Sequence, residues 1–208
     1  MPPAGLSPQG GAPRRALYHY LKAGTQRALD PVIVRLLIGV HPNVLTGLGV
    51  LAAAAAGACL WRGWYAAAPV FILVRMLLNV ADGQVARRTG KATRAGAVWN
   101  EFSDRIADVC VFGGAALAAP AGLALGLATV AAVGLVSYAG ILPQTLGLAR
   151  QYGGLSAKIP RQITIMIAAA GQAAWGGPWL RDGLIVVAAG AVVTVGQRLW
   201  GAFREARA

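Results

Sequence analysis

The acidic residues of this 208-residue chain are concentrated in one stretch. Four of the seven lie between positions 82 and 108: Asp82, Glu101, Asp104 and Asp108. The surrounding sequence is mostly apolar, and carboxylates within apolar helices normally face a bundle interior, where they mark a functional site or path. The alternative is that these acids only neutralise Arg75 and Arg105 as buried ion pairs. Four acids exceed what two arginines need, which favours a functional site.

Helical periodicity places these acids on two stripes. At about 100° per residue, one face of the first helix carries Arg75, Asn79, Asp82, Gly83 and Ala86. On the next helix, one face carries Gly96, Asn100, Asp104 and Asp108, with Glu101 at its edge. A short basic loop joins the helices, so the two stripes can face each other in an antiparallel pair. Gathered oxygen ligands of this kind suit Mg²⁺ or Mn²⁺, which also bind diphosphates.

The same residues resemble the signature of the CDP-alcohol phosphatidyltransferases. The chain reads Asp82-Gly83-x-x-Ala86-Arg87, eight residues, then Gly96-x-x-x-Asn100-x-x-x-Asp104. Upstream, His41-Pro42-Asn43-x-x-Thr46 is similar to the Pro-Asn-x-x-Thr segment of that family. The resemblance covers roughly residues 16–205.

Two positions depart from the family pattern D-x-x-D-G-x-x-A-R-x8-G-x3-D-x3-D. Asn79 and Asn100 stand at its first and third aspartate positions, and we interpret them as the mark of a variant subgroup. Asparagine offers a carbonyl oxygen but no negative charge. Four aspartates would largely balance two divalent ions. With two of them missing, we expect either that Glu101 supplies charge or that one metal alone binds tightly before the substrate diphosphate arrives.

The resemblance implies an enzyme of phospholipid synthesis that depends on Mg²⁺ or Mn²⁺. Such an enzyme transfers the phosphatidyl group of CDP-diacylglycerol to an alcohol or phosphorylated alcohol, and it releases CMP. Asp104 would be the general base, and the metal ligands would be Asn79, Asp82, Asn100, Glu101 and Asp104. The CDP-lipid would contact Asp82, Gly83, Ala86, Arg87 and Gly96. A second basic group would bind the acceptor or the lipid headgroup, or would only set the topology: Arg150, Lys158 and Arg161.

The whole chain is predicted to be an all-α integral membrane protein. Hydrophobic residues make up 57% and charged residues 12%, unlike a soluble domain. Six apolar segments approach the ~20 residues that cross a bilayer: 44–61, 66–87, 96–118, 121–149, 160–177 and 183–201. An amphipathic stretch at 16–40 predicts an interfacial helix before them, with Asn43 as the N-cap of the first span. Residues 1–15 are predicted to be a disordered tail, and residues 16–208 a single membrane domain.

The positive charges follow the apolar segments. The net charge is +12, but the basic residues lie between apolar runs rather than on one stripe, so we expect a bilayer and not nucleic acid as partner. With the N-terminus in the cytoplasm, only Arg62 and Arg181 fall outside. This positive-inside bias predicts that both termini are cytoplasmic, and we expect a bacterial inner membrane. The family resemblance also implies a homodimer.

Two alternatives to an enzyme stay open. One is a non-catalytic lipid-binding or scaffolding membrane protein of the same fold, whose metal site is weakened by the two asparagines. The other is a small transporter that uses the buried acids as an ion relay, although the chain lacks paired broken-helix signals in two halves. CMP release from CDP-diacylglycerol by purified protein distinguishes an enzyme from a scaffold.

Overall fold

The computed structural model describes residues 35–118 and 121–207, and in this part of the chain it contains six long α-helices and no strand. In chain order they are α1 (Pro42–Trp61), α2 (Ala68–Arg88), α3 (Arg94–Leu117), α4 (Leu123–Thr145), α5 (Lys158–Trp175) and α6 (Trp179–Ala206). The all-α prediction is confirmed, and each helix overlaps one predicted segment. The predicted tail and most of the predicted interfacial helix at 16–40 lie outside the described residues.

Capping side chains define where α1 and α3 begin. Pro42 is the first residue of α1, a position where its missing N–H is not needed. The ring nitrogen Nδ1 of His41 accepts a hydrogen bond from the Asn43 backbone N–H at 3.3 Å. The N-cap is therefore His41, and the prediction of Asn43 was wrong because the helix begins at the proline before it. At α3, the Thr93 hydroxyl accepts from the Gly96 N–H at 3.0 Å.

The helices differ in how well they suit a bilayer. Four of the six, α1, α2, α4 and α6, are long and apolar enough to cross a membrane. The other two, α3 and α5, carry the charged residues of the polar stretches, from Glu101 to Asp108 and from Lys158 to Arg161. Asp104, Asp108 and Arg161 are buried among the helices.

The first three helices form the scaffold that carries the polar residues. α1 packs against both α2 and α3, α5 packs against α2, and α4 and α6 close the other side of the bundle. The α1–α3 crossing depends on Gly57 and Gly114. A Cβ on Gly57 would lie 2.1 Å from the Cys110 carbonyl oxygen, and a Cβ on Gly114 would lie 2.2 Å from the Gly57 carbonyl oxygen. Small residues permit this close backbone approach between membrane helices.

The apolar core and the polar residues occupy different ends of the same helices. The main core includes Leu60 of α1, Ile72 near the start of α2 and Phe112 in the second half of α3, all fully buried. Except for Arg75 and Asp108, the polar stripes lie on the second half of α2 and the first half of α3. Packing at one end thus holds the two stripes in register at the other.

Candidate active site

The four motif positions form two hydrogen-bonded pairs across α2 and α3. Asn100 Nδ2 donates to Asp82 Oδ2 at 3.0 Å, and Asn79 Nδ2 donates to Asp104 Oδ1 at 3.0 Å. Each pair joins one residue of α2 to one of α3, so the two stripes face each other as their periodicity predicts. Each asparagine serves as a donor to one of the two remaining motif aspartates.

Asp82 is buried and lacks a cationic partner among the described residues. Its Oδ2 also accepts a hydrogen bond from the Thr46 hydroxyl of α1, at 2.7 Å. Its Oδ1 is buried without any hydrogen-bond partner in the described part of the chain. A buried carboxylate oxygen without a donor is costly unless a cation or water meets it. Oδ1 therefore fits an oxygen-seeking divalent cation.

Asp104 has the opposite environment, since cations and donors surround it. Arg75 Nη2 lies 3.0 Å from Oδ1, and Lys158 Nζ lies 2.5 Å from Oδ2. Lys158 also donates to Asn79 Oδ1. The periodicity of α2 had put Arg75 near the acids. The contact of Lys158 was missed, because that residue follows Asp104 by 54 positions and no local spacing connects the two.

The remaining two acids, one on each side of Asp104 along α3, also form ion pairs. Arg150 Nη2 lies 2.8 Å from Glu101 Oε2, and Arg105 Nη2 lies 3.6 Å from Glu101 Oε1. Asp108 pairs with Arg161 at 2.5 Å, with side chains only 6% and 2% exposed. Of the four clustered acids, Asp82 alone has no salt bridge within residues 35–118 and 121–207.

A cleft of about 330 Å³ opens beside Asp82. Its lining includes Gly83, Ala86, Arg87, Lys91, Gly96 and Arg150. A Cβ at Gly83 would lie 3.3 Å from the Arg87 guanidinium, and a Cβ at Gly96 would lie 3.1 Å from the Thr93 hydroxyl. The glycines therefore keep room in the cleft, and its three cations suit a polyanionic ligand.

Residues 39–196 match the family model for CDP-alcohol phosphatidyltransferase, a range that contains both hydrogen-bonded pairs and the cleft. The chain belongs to the CDP-alcohol phosphatidyltransferase family.

Several relatives of this chain are phosphatidylinositol phosphate synthases. The chain is 31% identical to that of Streptomyces avermitilis over 204 residues, which covers 91% of this chain and 83% of the relative. It is 31% identical to that of Mycobacterium marinum over 192 residues, covering 86% and 81%. The crystal structure of the Mycobacterium tuberculosis enzyme with CDP-DAG bound aligns with a TM-score of 0.74 at 28% identity, covering 85% of this chain and 94% of that one. The same enzyme in complex with manganese and citrate aligns with a TM-score of 0.73, also at 28% identity, covering 82% and 87%.

Membership in the CDP-alcohol phosphatidyltransferase family establishes the general activity. The chain is a transferase of phospholipid synthesis, and its membrane-length helices make it a multi-pass membrane protein. Enzymes of this family use Mg²⁺ or Mn²⁺, and manganese is present in one solved relative. The alternative of a non-catalytic scaffold is not favoured.

The oxygen donors of the motif match such a metal in part. No group of three or more His, Cys, Asp and Glu that could hold a metal occurs in the described residues. The free Asp82 Oδ1 and the nearby amide oxygen of Asn100 nevertheless fit the oxygen chemistry of Mg²⁺ and Mn²⁺. The predicted ligands Asn79 and Asp104 lie in the same cluster, whereas Glu101 is already engaged by Arg150. All these roles stay predictions.

The other predicted site residues fall into two groups. Gly83, Ala86, Arg87 and Gly96 line the cleft, together with Arg150. Lys158 lies at Asp104, and Arg161 is buried against Asp108. The predicted acceptor group therefore does not form one continuous basic patch.

Proposed function

We propose that this chain transfers the phosphatidyl group of CDP-DAG to an inositol phosphate and releases CMP. The cleft carries the proposal, because Asp82, whose Oδ1 has no hydrogen-bond partner among the described residues, lines it together with Arg87, Lys91 and Arg150. A diphosphate and a phosphorylated acceptor both need such cations. The names of the relatives support the choice of acceptor, and the relative solved with CDP-DAG supports the choice of donor.

Each cleft residue then has a role in binding the donor. Asp82 and Asn100 would hold Mg²⁺ or Mn²⁺. Asn79 and Asp104, also predicted as ligands, are bonded to Lys158, and the predicted ligand Glu101 is paired with Arg150. The metal, when bound, offsets negative charge on the diphosphate and the leaving CMP. Gly83, Ala86 and Gly96 admit the diphosphate close to the backbone. Arg87 pairs with the nucleotide phosphates.

Asp104 takes the proton of the acceptor hydroxyl as general base. Arg75 and Asn79 both bind its Oδ1, which fixes the orientation of the carboxylate. Its Oδ2 accepts a hydrogen bond from Lys158 and keeps a second lone pair for the incoming proton. The acceptor hydroxyl then forms a bond to the β-phosphorus of CDP-DAG, and the bond from that phosphorus to the CMP oxygen breaks.

The phosphate of the acceptor binds near the second basic group, which consists of Arg150, Lys158 and Arg161. Arg150 lines the cleft, which supports direct contact with the acceptor. Arg161 is 3% exposed and paired with Asp108, which supports a positioning role below the site. Lys158 contacts the motif residues Asn79 and Asp104, which supports a role close to the reacting groups.

The membrane arrangement belongs to the same proposal. We place six spans in a bacterial inner membrane, with both termini in the cytoplasm and residues 16–208 as one domain, and with a homodimer as the assembly. The agreement between the six helices and the six predicted segments supports the spans. The basic loop after α2 lies next to the cleft, which supports cytosolic access for the nucleotide. The Asn79 and Asn100 pair defines a variant subgroup within the family.

Purified protein in detergent micelles tests the activity. CMP release from CDP-DAG is measured with Mg²⁺ or Mn²⁺ and with inositol phosphate, glycerol 3-phosphate, inositol, serine or no acceptor. We expect release with inositol phosphate, and mass spectrometry should show the matching phospholipid. Release with a different acceptor would reject inositol phosphate but keep the transfer. No release with any acceptor would reject the transfer itself.

A further inference from the structure

Positive side chains already outnumber negative ones around the motif. The acids are Asp82, Glu101, Asp104 and Asp108, and the cations paired with them or packed beside them are Arg75, Arg105, Arg150, Lys158 and Arg161. Two divalent ions would add four positive charges, and only Asp82 has no cationic partner among the described residues. Charges in a buried cleft interact far more strongly than in water, so this excess would oppose binding of a second ion.

The asparagines remove the need for bridging ions. Asn79 and Asn100 each donate a hydrogen bond across 3.0 Å to an aspartate of the other helix. An aspartate in either place would put two carboxylates at that separation, an arrangement that needs a cation or a proton between them. The amide nitrogen bonds directly instead, so the two helices are joined without metal.

The Asn79 amide is also matched to a lysine. Its Nδ2 donates to Asp104 while its Oδ1 accepts from Lys158. If the Asn79 amide were rotated by 180°, its NH₂ group would face the Lys158 ammonium. Both groups are donors and cannot bond to each other, so only the observed orientation is allowed. An aspartate at position 79 could accept from Lys158 but could not donate to Asp104.

The Lys158 ammonium is bonded to oxygens of two residues that were predicted to bind metal, Asn79 and Asp104. It thereby bridges the first and last positions of the motif. The ammonium has three donors, of which two are used by these oxygens, and the side chain is 25% exposed. One donor is therefore left for a phosphate oxygen.

We propose that the Lys158 ammonium takes the place of a second divalent ion, and that the site holds a single ion at Asp82. The inference rests on the proposed function for its substrate: the remaining Lys158 donor would bind an oxygen of the transferred phosphate. The charge near the reacting phosphorus is then supplied by a point charge of the protein itself.

Counting bound Mn²⁺ tests this without any turnover. Electron paramagnetic resonance of free Mn²⁺ gives the number of ions bound per chain, with protein in neutral detergent at saturating Mn²⁺. We expect one ion in the wild type and two in Asn79→Asp/Asn100→Asp/Lys158→Met, where the carboxylates return and the ammonium is gone. Two ions or none in the wild type would overturn the proposal. Fewer than two in the triple variant, if its circular dichroism matches wild type, would also overturn it.

A single substitution keeps the test decisive if the triple variant does not fold. Lys158→Met should tighten Mn²⁺ binding, because it removes a nearby positive charge, and should lower CMP release about 100-fold or more. Arg181→Met removes the same charge from the N-terminal end of α6, away from the motif, and should change neither quantity. A Lys158→Met protein with unaltered Mn²⁺ affinity and only a raised KM for the acceptor would overturn the proposal in favour of acceptor binding. Absence of the transfer reaction in the wild type would contradict the proposed function, but it would not affect the conclusion from the number of bound Mn²⁺ ions.

Discussion

Asn100 lies on α3 with its amide nitrogen 3.0 Å from Asp82 Oδ2, and Thr46 of α1 donates to the same oxygen at 2.7 Å. Two helices thus hold one oxygen of the Asp82 carboxylate, while Oδ1 has no partner among the described residues. A ligand whose rotamer is fixed in this way binds a cation without having to be reordered. The asparagine at the third motif position therefore orients the aspartate that remains.

Asp82→Asn should abolish most of the activity. The substitution removes the free carboxylate oxygen, so we expect CMP release to fall at least about 100-fold, beyond the loss typical of residues that only support a metal ligand. The measurement is CMP release at saturating Mn²⁺. Asp182→Asn, which changes an acid in the first turn of α6, is the matched control and should leave the rate unchanged. Near-wild-type turnover of Asp82→Asn would show that other residues bind the metal.

Glu101→Gln decides whether Glu101 supplies the charge that the asparagines lack. Glu101 is held by Arg150 at 2.8 Å and lies 3.6 Å from Arg105, so its charge is already offset. We expect the Mn²⁺ concentration that gives half-maximal CMP release to change less than about threefold, as for a partly exposed ion pair of small net energy. A requirement raised tenfold or more would instead make Glu101 a contributor to metal binding.

Gly83→Val should narrow the cleft. A Cβ at this position would lie 3.3 Å from the Arg87 guanidinium, and the two methyl groups of valine would extend farther into the cleft. Displacing the diphosphate by about 1 Å is expected to lower kcat/KM for CDP-DAG on the order of 100-fold. Gly113→Val is the control, because a Cβ at Gly113 of α3 meets no atom within 4 Å. Equal activity of the two variants would place the diphosphate outside this cleft.

The helices were predictable because their signals are local. Apolar runs and periodicity gave six segments close to the observed helices, and the four-residue spacing on α3 predicted the face that meets α2. The N-cap of α1 was predicted two residues too late, at Asn43 instead of His41, because the sequence offers a capping side chain on either side of Pro42. Local sequence cannot rank such neighbouring caps.

The partners of the acids were less predictable. Arg75 could be assigned to the acidic cluster because it shares a helical face with Asn79 and Asp82. Three other cations contact the acids of α3 only because distant parts of the chain pack against that helix: Arg150 at Glu101, Lys158 at Asp104 and Arg161 at Asp108. From the sequence alone, a basic loop that binds a substrate cannot be distinguished from one that sets the topology or neutralises buried acids.

Cysteine labelling should establish the orientation of the bundle. In a Cys59→Ala/Cys110→Ala background, Lys91→Cys should react with an impermeant maleimide only after the inner face is opened. Arg62→Cys should react in intact cells, because it follows α1 on the opposite side. Arg62 is preferred to Gly63, whose φ of +77° disfavours a side chain. Labelling of Lys91→Cys from outside would reverse the topology and the nucleotide access proposed above.

Substitutions of the buried pair Arg161–Asp108 distinguish a structural role of Arg161 from binding of the acceptor. Both side chains are almost fully buried, at 2% and 6% exposure, and Arg161 Nε and Asp108 Oδ1 have no hydrogen-bond partner in the described residues. Arg161→Met leaves the carboxylate buried and uncompensated, which should cost about 3–5 kcal/mol of unfolding free energy. Asp108→Leu/Arg161→Met should recover most of that loss, because apolar side chains of similar volume often replace such pairs without penalty. Thermal unfolding in detergent gives the stabilities, with Arg181→Met as control.

The double variant also reports on the acceptor. If Arg161 only positions α5 against α3, the Asp108→Leu/Arg161→Met protein should be stable and its KM for inositol phosphate should stay within about threefold of wild type, as for removal of a group that touches no substrate. If Arg161 contacts the acceptor phosphate, the stability should recover while that KM rises tenfold or more. Because Arg161 faces Asp108 at 2.5 Å rather than the cleft, we expect the first result.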